Sequence, residues 1–279
     1  MKKLKKGTRY LILLGITILL MELSGIIFIA ICYFPVSKVT GMDYKTYYNS
    51  LALLSSYNDN NIIPALGITA YEYFENNPGL LDNATFIYCL VQFLSYIPII
   101  VVAVIFLGRD LIDDLKRFGK SIKRNIVVIL LCYAALIYLN NIVNMIYGLL
   151  GDTGESANEG LINLLLTSNG KWFMIISVVL IAPLTEEIIF RKLLIDTCEL
   201  KFKFKPWLAI LVSALVFSFI HVSDLASIKY IFQYLALAVP ICCAYHFSEN
   251  NIVTSFTMHL INNLLSVIVT FASGAIIFR

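Results

Sequence analysis

Charge is scarce in this chain. Of its 279 residues, Asp, Glu, Lys and Arg make up 14%, where soluble domains carry about 25%. A folded body of this size meeting water on every side needs more polar surface, so an ordinary soluble globule is excluded. Lys and Arg number 21 against 18 Asp and Glu, and so small an excess gives no case for nucleic acid as a partner. Cysteine is present but lacks pattern. Cys32, Cys89, Cys132, Cys242 and Cys243 lie inside apolar runs, Cys198 borders one, and no C-x-x-C pair occurs. That gives no case for a disulfide framework and leaves small apolar packing groups. H-E-x-x-H is missing, as is G-x-S-x-G, which removes the commonest metalloprotease signature and the serine-hydrolase elbow. Neither an internal repeat nor a low-complexity linker divides the chain.

Apolar residues fill the space that charge leaves, at 59% of the chain, and the expected solvent is lipid. Seven stretches come near or above the roughly 20 apolar residues that cross a bilayer: Tyr10–Phe34, Ala84–Leu107, Asn125–Gly151, Lys171–Leu194, Pro206–Val222, Tyr230–Phe247 and Ile252–Phe278. The fold class expected is therefore all-α, a polytopic membrane protein of about seven transmembrane helices, with residues 1–279 as a single integral membrane domain. Met1-Lys-Lys-Leu-Lys-Lys resembles the basic start of a signal peptide. The apolar run after it is too long for one and contains Glu22, so a retained anchor is expected.

Orientation follows from the loop cations. With the N-terminus in the cytoplasm, sixteen Lys and Arg fall inside: Lys2, Lys3, Lys5, Lys6, Arg9, Arg109, Lys116, Arg117, Lys120, Lys123, Arg124, Arg191, Lys192, Lys201, Lys203 and Lys205. Lys38, Lys45, Lys171, Lys229 and Arg279 fall outside. Pro35–Asn83 then lies outside, and segments such as Tyr44–Tyr57 suit amphipathic helices at the membrane surface.

Ionisable groups at membrane depth need a reason. In the fourth span, Ile181-Ala-Pro-Leu-Thr-Glu-Glu-Ile-Ile-Phe-Arg191 puts two carboxylates and a guanidinium within six residues. Glu187 and Arg191 are four apart, so on a helix they face one another and pair. Glu186 points about 100° away and lacks that partner. Pro183 removes a backbone donor just upstream and loosens the helix there. Read blandly, this cluster only ends the span, with Lys192 opening the basic loop. His221 closes the fifth span, and His259 and Asn263 share one face of the last. Glu186 to Leu200 is 14 residues, about 21 Å of helix, and Pro206 to His221 is 15 residues back. An antiparallel hairpin therefore sets Glu186 and His221 at one height, provided Glu186–Leu200 continues as helix. His259, eight residues past Asn251, sits about 12 Å from its own turn, shallower unless the Lys201–Lys205 turn protrudes.

Such a set can hydrolyse. A carboxylate or imidazole takes a proton from water while cationic or amide donors stabilise an oxyanion. Glu186 is the candidate base, His221 shares or polarises the water, and His259 with Asn263 suits the oxyanion. Alternatively Glu186, His221 and His259 hold Zn²⁺ with an open water position; the glutamate-type chemistry needs no cofactor. A non-catalytic scaffold or immunity protein would use the same cavity to hold a peptide or membrane partner. A transporter, with Asn140, Asn141 and Asn144 along a path, is disfavoured because the halves do not repeat; those asparagines read as interhelical hydrogen-bonding groups. Glu22 and Gln92 read as structural, and His246 as a helix-end cation.

Glu186-Glu187-x-x-x-Arg191, Phe217-x-x-x-His221 and His259-x-x-x-Asn263, in that order, resemble the motif series of the CAAX prenyl protease and bacteriocin-processing family (CPBP, also called Abi). Its members are polytopic intramembrane proteases, the eukaryotic Ras-converting endopeptidase among them. The resemblance covers about Lys171–Thr270. It implies a catalytic core at 171–270 and variable N-terminal spans with an outer loop at 1–170. It also implies that Glu186 activates water with His221, that Glu187 and Arg191 support the site, and that His259 and Asn263 stabilise the tetrahedral intermediate. Metal-dependent and metal-free glutamate mechanisms have both been proposed for the family. Lys192 departs from the Gly that many members carry there. The chain is rich in Lys, Ile and Asn and poor in Pro, which points to a bacterial plasma membrane. The substrate implied is a peptide or membrane protein, and the role peptide maturation, bacteriocin immunity or membrane-protein turnover.

Overall fold

A computed structural model describes residues 4–54, 57, 67–151, 156–222 and 226–272. Within them the architecture is all-helical: α1 Lys6–Thr40, α2 Tyr44–Leu54, α3 Ala70–Glu75, α4 Pro78–Ser95, α5 Ile97–Lys120, α6 Ile122–Leu149, α7 Ala157–Thr167, α8 Lys171–Leu200, α9 Pro206–Ile220, α10 Ile231–Phe247 and α11 Ile252–Ala272. Among the described residues six helical stretches are long and apolar enough to cross a membrane: α1, the Pro78–Lys120 stretch formed by α4 and α5, α6, α8, Ser227–Phe247 and α11. This is the architecture of a polytopic membrane protein. The seventh expected span, α9, is 15 residues, about 22 Å of helix against a hydrocarbon core of about 30 Å. Lys2, Lys3, Arg279 and the end of the last expected span lie outside the described residues.

Several expected loops are helix instead. The basic stretch after the second span continues as α5 to Lys120, breaks at Ser121 and resumes as α6. One side of it is occupied: Arg9 and Lys6 of α1 pair with Asp110. In the expected outer loop, α2 buries Tyr47, Leu51 and Leu54 and leaves Tyr44 and Tyr48 exposed. Its anchor is Tyr47, whose hydroxyl donates to the Ile29 carbonyl at 2.8 Å. A reciprocal Thr69–Glu72 capping box starts α3.

α8 is the central helix. Half of its most apolar window is buried, against 11% for α6 at the periphery. Ile188, Ile189, Phe190 and Leu193 pack with Tyr10 and Leu13 of α1, Leu107 of α5 and Phe217 of α9. Small residues let α9 and α10 approach: Ala209, Ser213, Ala214 and Ser218 on one, Ala236, Ala238 and Ala244 on the other, all buried. At its end α8 runs against α1, where a Cβ on Gly7 would come within 3.0 Å of the Leu200 and Lys201 backbone; glycine is required for that approach.

Arg191 and Lys192 correct the orientation count. Both are buried inside α8, 0% and 2% exposed, so neither is a surface cation; of the remaining fourteen, the twelve that the structure describes are exposed or half-buried. The Lys192 ammonium donates to Asp114 Oδ2 at 2.7 Å, and Asp196 lies 4.0 Å away. Asp114 also pairs with Arg117, and its carbonyl accepts from Asn251. Asp196 accepts from the Tyr245 hydroxyl and from Asn250, which also donates to Glu199. The turn between α10 and α11 is thereby docked on α5 and α8. Removing one member of a buried pair leaves an uncompensated charge and costs about 3–5 kcal/mol. We expect Asp114→Ala to lower the thermal midpoint in detergent more than Lys192→Met, because Lys192 would keep only a distant Asp196 whereas Asp114 would keep Arg117. Thermal unfolding of both variants beside the parent checks the order, and a larger loss for Lys192→Met would contradict it.

Candidate active site

Around the carboxylates α8 is not a uniform α-helix. Ser177–Ile181 and Glu187–Ile195 are π-helical, with α turns between and beyond them. π turns are uncommon and recur at functional sites. Here the first precedes Pro183, whose missing N–H prevents an unbroken ladder.

The expected Glu187–Arg191 pair forms. Arg191 Nε lies 3.3 Å from Glu187 Oε2, both side chains fully buried. It is an ion pair without hydrogen-bond alignment, and among the described residues none of the three guanidinium nitrogens has a hydrogen-bond partner. Its plane instead lies 4.9 Å from the centre of the Phe217 ring, a cation–π contact. Glu187 Oε1 accepts from His259 Nδ1 at 3.0 Å. That bond places a proton on Nδ1 and turns Nε2 toward Glu186 Oε2, at 3.8 Å.

His221 mirrors this arrangement from the other side. It is the last residue of the α9 turn, and its Nδ1 donates to the Phe217 carbonyl at 2.8 Å. A carbonyl only accepts, so Nε2 of the neutral ring is again the open nitrogen; it faces Glu186 Oε1 at 3.9 Å. The ring stacks on Phe217 at 4.3 Å and lies 5.1 Å from Tyr234, whose hydroxyl shares a 2.7 Å hydrogen bond with Ser156. Glu186 thus stands between two fixed imidazoles, beyond direct hydrogen-bond range of each, with 18% of its side chain exposed. Gaps of this size between polar groups suit an intervening water.

The depth mismatch expected for His259 is resolved by the docked turn. Asn250 bonds Asp196, ten residues below Glu186 along α8. The α10–α11 turn therefore sits above the Lys201–Lys205 end, and His259 reaches Glu186.

Glu186, His221, His259 and Asn263 line one cavity of about 530 Å³, within the usual range of ligand pockets. Arg191 and Glu187 lie behind its wall. Asn263 donates from Nδ2 to the Val178 carbonyl at 2.9 Å, and its Oδ1 accepts from Asn262 Nδ2 at 3.2 Å. One of the two N–H donors of the amide expected to serve the oxyanion is thus bonded to α8. Glu22 of α1, Gln92 of α4 and Tyr96 just past the end of α4, the first two read as structural, also line the cavity, as do Asn158, Glu159 and Asn163 of α7. The four-residue spacing of Gln92 and Tyr96, which bond one another at 2.9 Å, was the available signal. Asn144 accepts from Gln233 at 3.3 Å, an interhelical bond as expected. His246 lies 3.9 Å from Glu199, away from the site.

Zinc fits these residues poorly. A tetrahedral ion with bonds of about 2.0 Å separates its ligands by about 3.3 Å. The two imidazole nitrogens face different oxygens of Glu186, 3.8 and 3.9 Å away. Among the described residues no group of three His, Cys, Asp or Glu stands at metal-holding spacing.

Comparison with known proteins places these elements. Residues 168–265 match the family model described as type II CAAX prenyl endopeptidase Rce1-like. An uncharacterized protein of Mycoplasma capricolum subsp. capricolum (strain California kid) is 29% identical over 195 residues, 66% of this chain. The match spans 55% of that relative's length. No solved structure matches. All three motifs and the whole Glu186–His221–His259 arrangement fall inside the matched segment. Residues 168–265 are accordingly a Rce1-like type II CAAX prenyl endopeptidase domain, of the CPBP/Abi family.

Proposed function

We propose that the chain is an intramembrane endopeptidase that hydrolyses a peptide or a membrane-protein substrate with water activated by Glu186 and His221. The observation that carries this reading is a cavity-facing Glu186 flanked by two Nε2 atoms, each ring fixed through Nδ1. Glu186 takes the proton of a water held against His221 Nε2, and the hydroxide formed attacks the scissile carbonyl. His259 enters as imidazolium: Nδ1–H stays on Glu187 and Nε2–H stabilises the oxyanion. Glu187 orients His259, and Arg191 balances the Glu187 charge. Asn263 forms the adjoining wall. The proton held by Glu186 then passes to the leaving amine. No step is routed through a metal.

The family and the apolar helices support a membrane location, and the Mycoplasma relative supports a bacterial one. Fourteen cations favour a cytoplasmic N-terminus and a site opening toward that side. Peptide maturation or bacteriocin immunity would use this chemistry, with residues 171–270 as the catalytic core.

Purified in detergent, the Glu186→Gln and His221→Ala variants should each lose about 10²–10⁴-fold in kcat on a cleavable peptide, the range of general acid–base catalysis. Unchanged cleavage in both would sink the assignment. Exhaustive chelation, with metal content measured in parallel, should leave the parent fully active. Loss that zinc alone restores would replace the glutamate-type reading.

A further inference from the structure

Asn263 sits opposite the point where α8 lacks a donor. In the first π segment, the Ala182 N–H donates to the Ser177 carbonyl, the i to i+5 register. The next pair in that register runs from residue 183 to the Val178 carbonyl. Residue 183 is proline and has no N–H. The acceptor left over, Val178 O, takes Asn263 Nδ2 at 2.9 Å. Asn262 fixes which way the amide faces, because its Nδ2 occupies Asn263 Oδ1.

Four residues earlier on the same helix, His259 bonds Glu187. One face of α11 therefore grips α8 at Val178 and at Glu187, on either side of Pro183 and Glu186. Val178 is half-buried in the cavity wall, and without Asn263 its carbonyl loses a directed bond to a neighbouring helix; the two grips together hold the loosened stretch in register with α11. That register sets Glu186 opposite His221 and His259.

We propose that Asn263 is a positioning residue: it supplies the hydrogen-bond donor that Pro183 withholds from the α8 backbone, and so holds Glu186 in place. The catalytic part of this assignment rests on the endopeptidase reading; the backbone part does not. An oxyanion donor and a backbone donor differ in what replaces them. Substituting Pro183 by alanine returns an N–H to the helix opposite Val178, and that can relieve only the second kind of loss.

The test uses four full-length proteins in one detergent: parent, Asn263→Ala, Pro183→Ala and the double variant. Displacement of a catalytic group by about 1 Å costs about 10²-fold in rate. Asn263→Ala should therefore lose about 10²-fold in kcat with little change in KM, and the double variant should regain at least about tenfold. A double variant no more active than Asn263→Ala overturns the proposal. Thermal midpoints of the same four proteins give a readout independent of turnover. Pro183→Ala should raise the midpoint of the Asn263→Ala protein more than that of the parent, and equal shifts in the two backgrounds overturn the proposal. An inactive parent would defeat the endopeptidase reading and leave the midpoints to decide the backbone role.

Discussion

A carboxylate without access to water is tolerable only when its charge is answered nearby, and Glu187 is such a group. Arg191 answers it from the same helix, His259 answers it from α11, and Arg191 in turn lies on the Phe217 ring of α9. Three helices are thus tied to one side chain. The consequences reach the cavity. With Glu187 committed behind the wall, its neighbour Glu186 is the carboxylate of that turn facing inward. With Nδ1 of His259 used, Nε2 is the atom the cavity meets. Two adjacent glutamates of identical chemistry are thereby placed differently, one paired and enclosed, the other facing the cavity.

A second set of polar contacts fixes depth rather than identity. Lys192 and Asp196, about one to two and a half turns below the carboxylates on α8, tie the α10–α11 turn to it through Asp114, Tyr245 and Asn250. That bracing determines how far α11 must run before His259 arrives. Ionic groups are expensive in such surroundings, and a packed apolar joint would serve stability as well. What charge adds is register: Lys192 meets Asp114 in one alignment of α5 with α8, and a sliding apolar face would accept several.

The parts legible in the sequence were those governed by period and by solvent. Long apolar runs announced the helices, the four-residue spacing announced Glu187–Arg191, and rise per residue set Glu186 level with His221. The continuation of α8 to Leu200 followed from the same arithmetic. Less legible was everything decided between helices. Arg191 and Lys192 sit beside a basic turn and were counted as loop cations, because sequence records neighbours along the chain and not the Asp114 that meets Lys192 from α5. Glu22 and Gln92 looked like isolated polar residues in apolar helices, and only the packing of α1 and α4 against α8 brings them to the cavity. The α10–α11 turn sets the depth of His259, and no residue spacing announces the Asn250–Asp196 bond that lifts it. π turns leave no periodic signature of their own, so the widened stretches of α8 were invisible apart from Pro183.

Those widened turns make residue number, as distinct from residue type, a constraint. A π turn holds one residue more than the α turn it replaces, and so amounts to a single insertion carried within a helix. Between Glu186 above and Asp196 below, that extra residue sets the angle at which Lys192 and Asp196 leave the helix. Deleting a residue between Lys192 and Asp196 would rotate Asp196 relative to Lys192 and carry it away from Tyr245, while Glu187 and Arg191 keep their four-residue spacing. Substitutions along this stretch are a matter of volume and charge; changes of length are a matter of phase. The exposed turn at Lys201–Lys205 carries no such phase, so related chains that differ in length have room to differ there and not eight residues earlier.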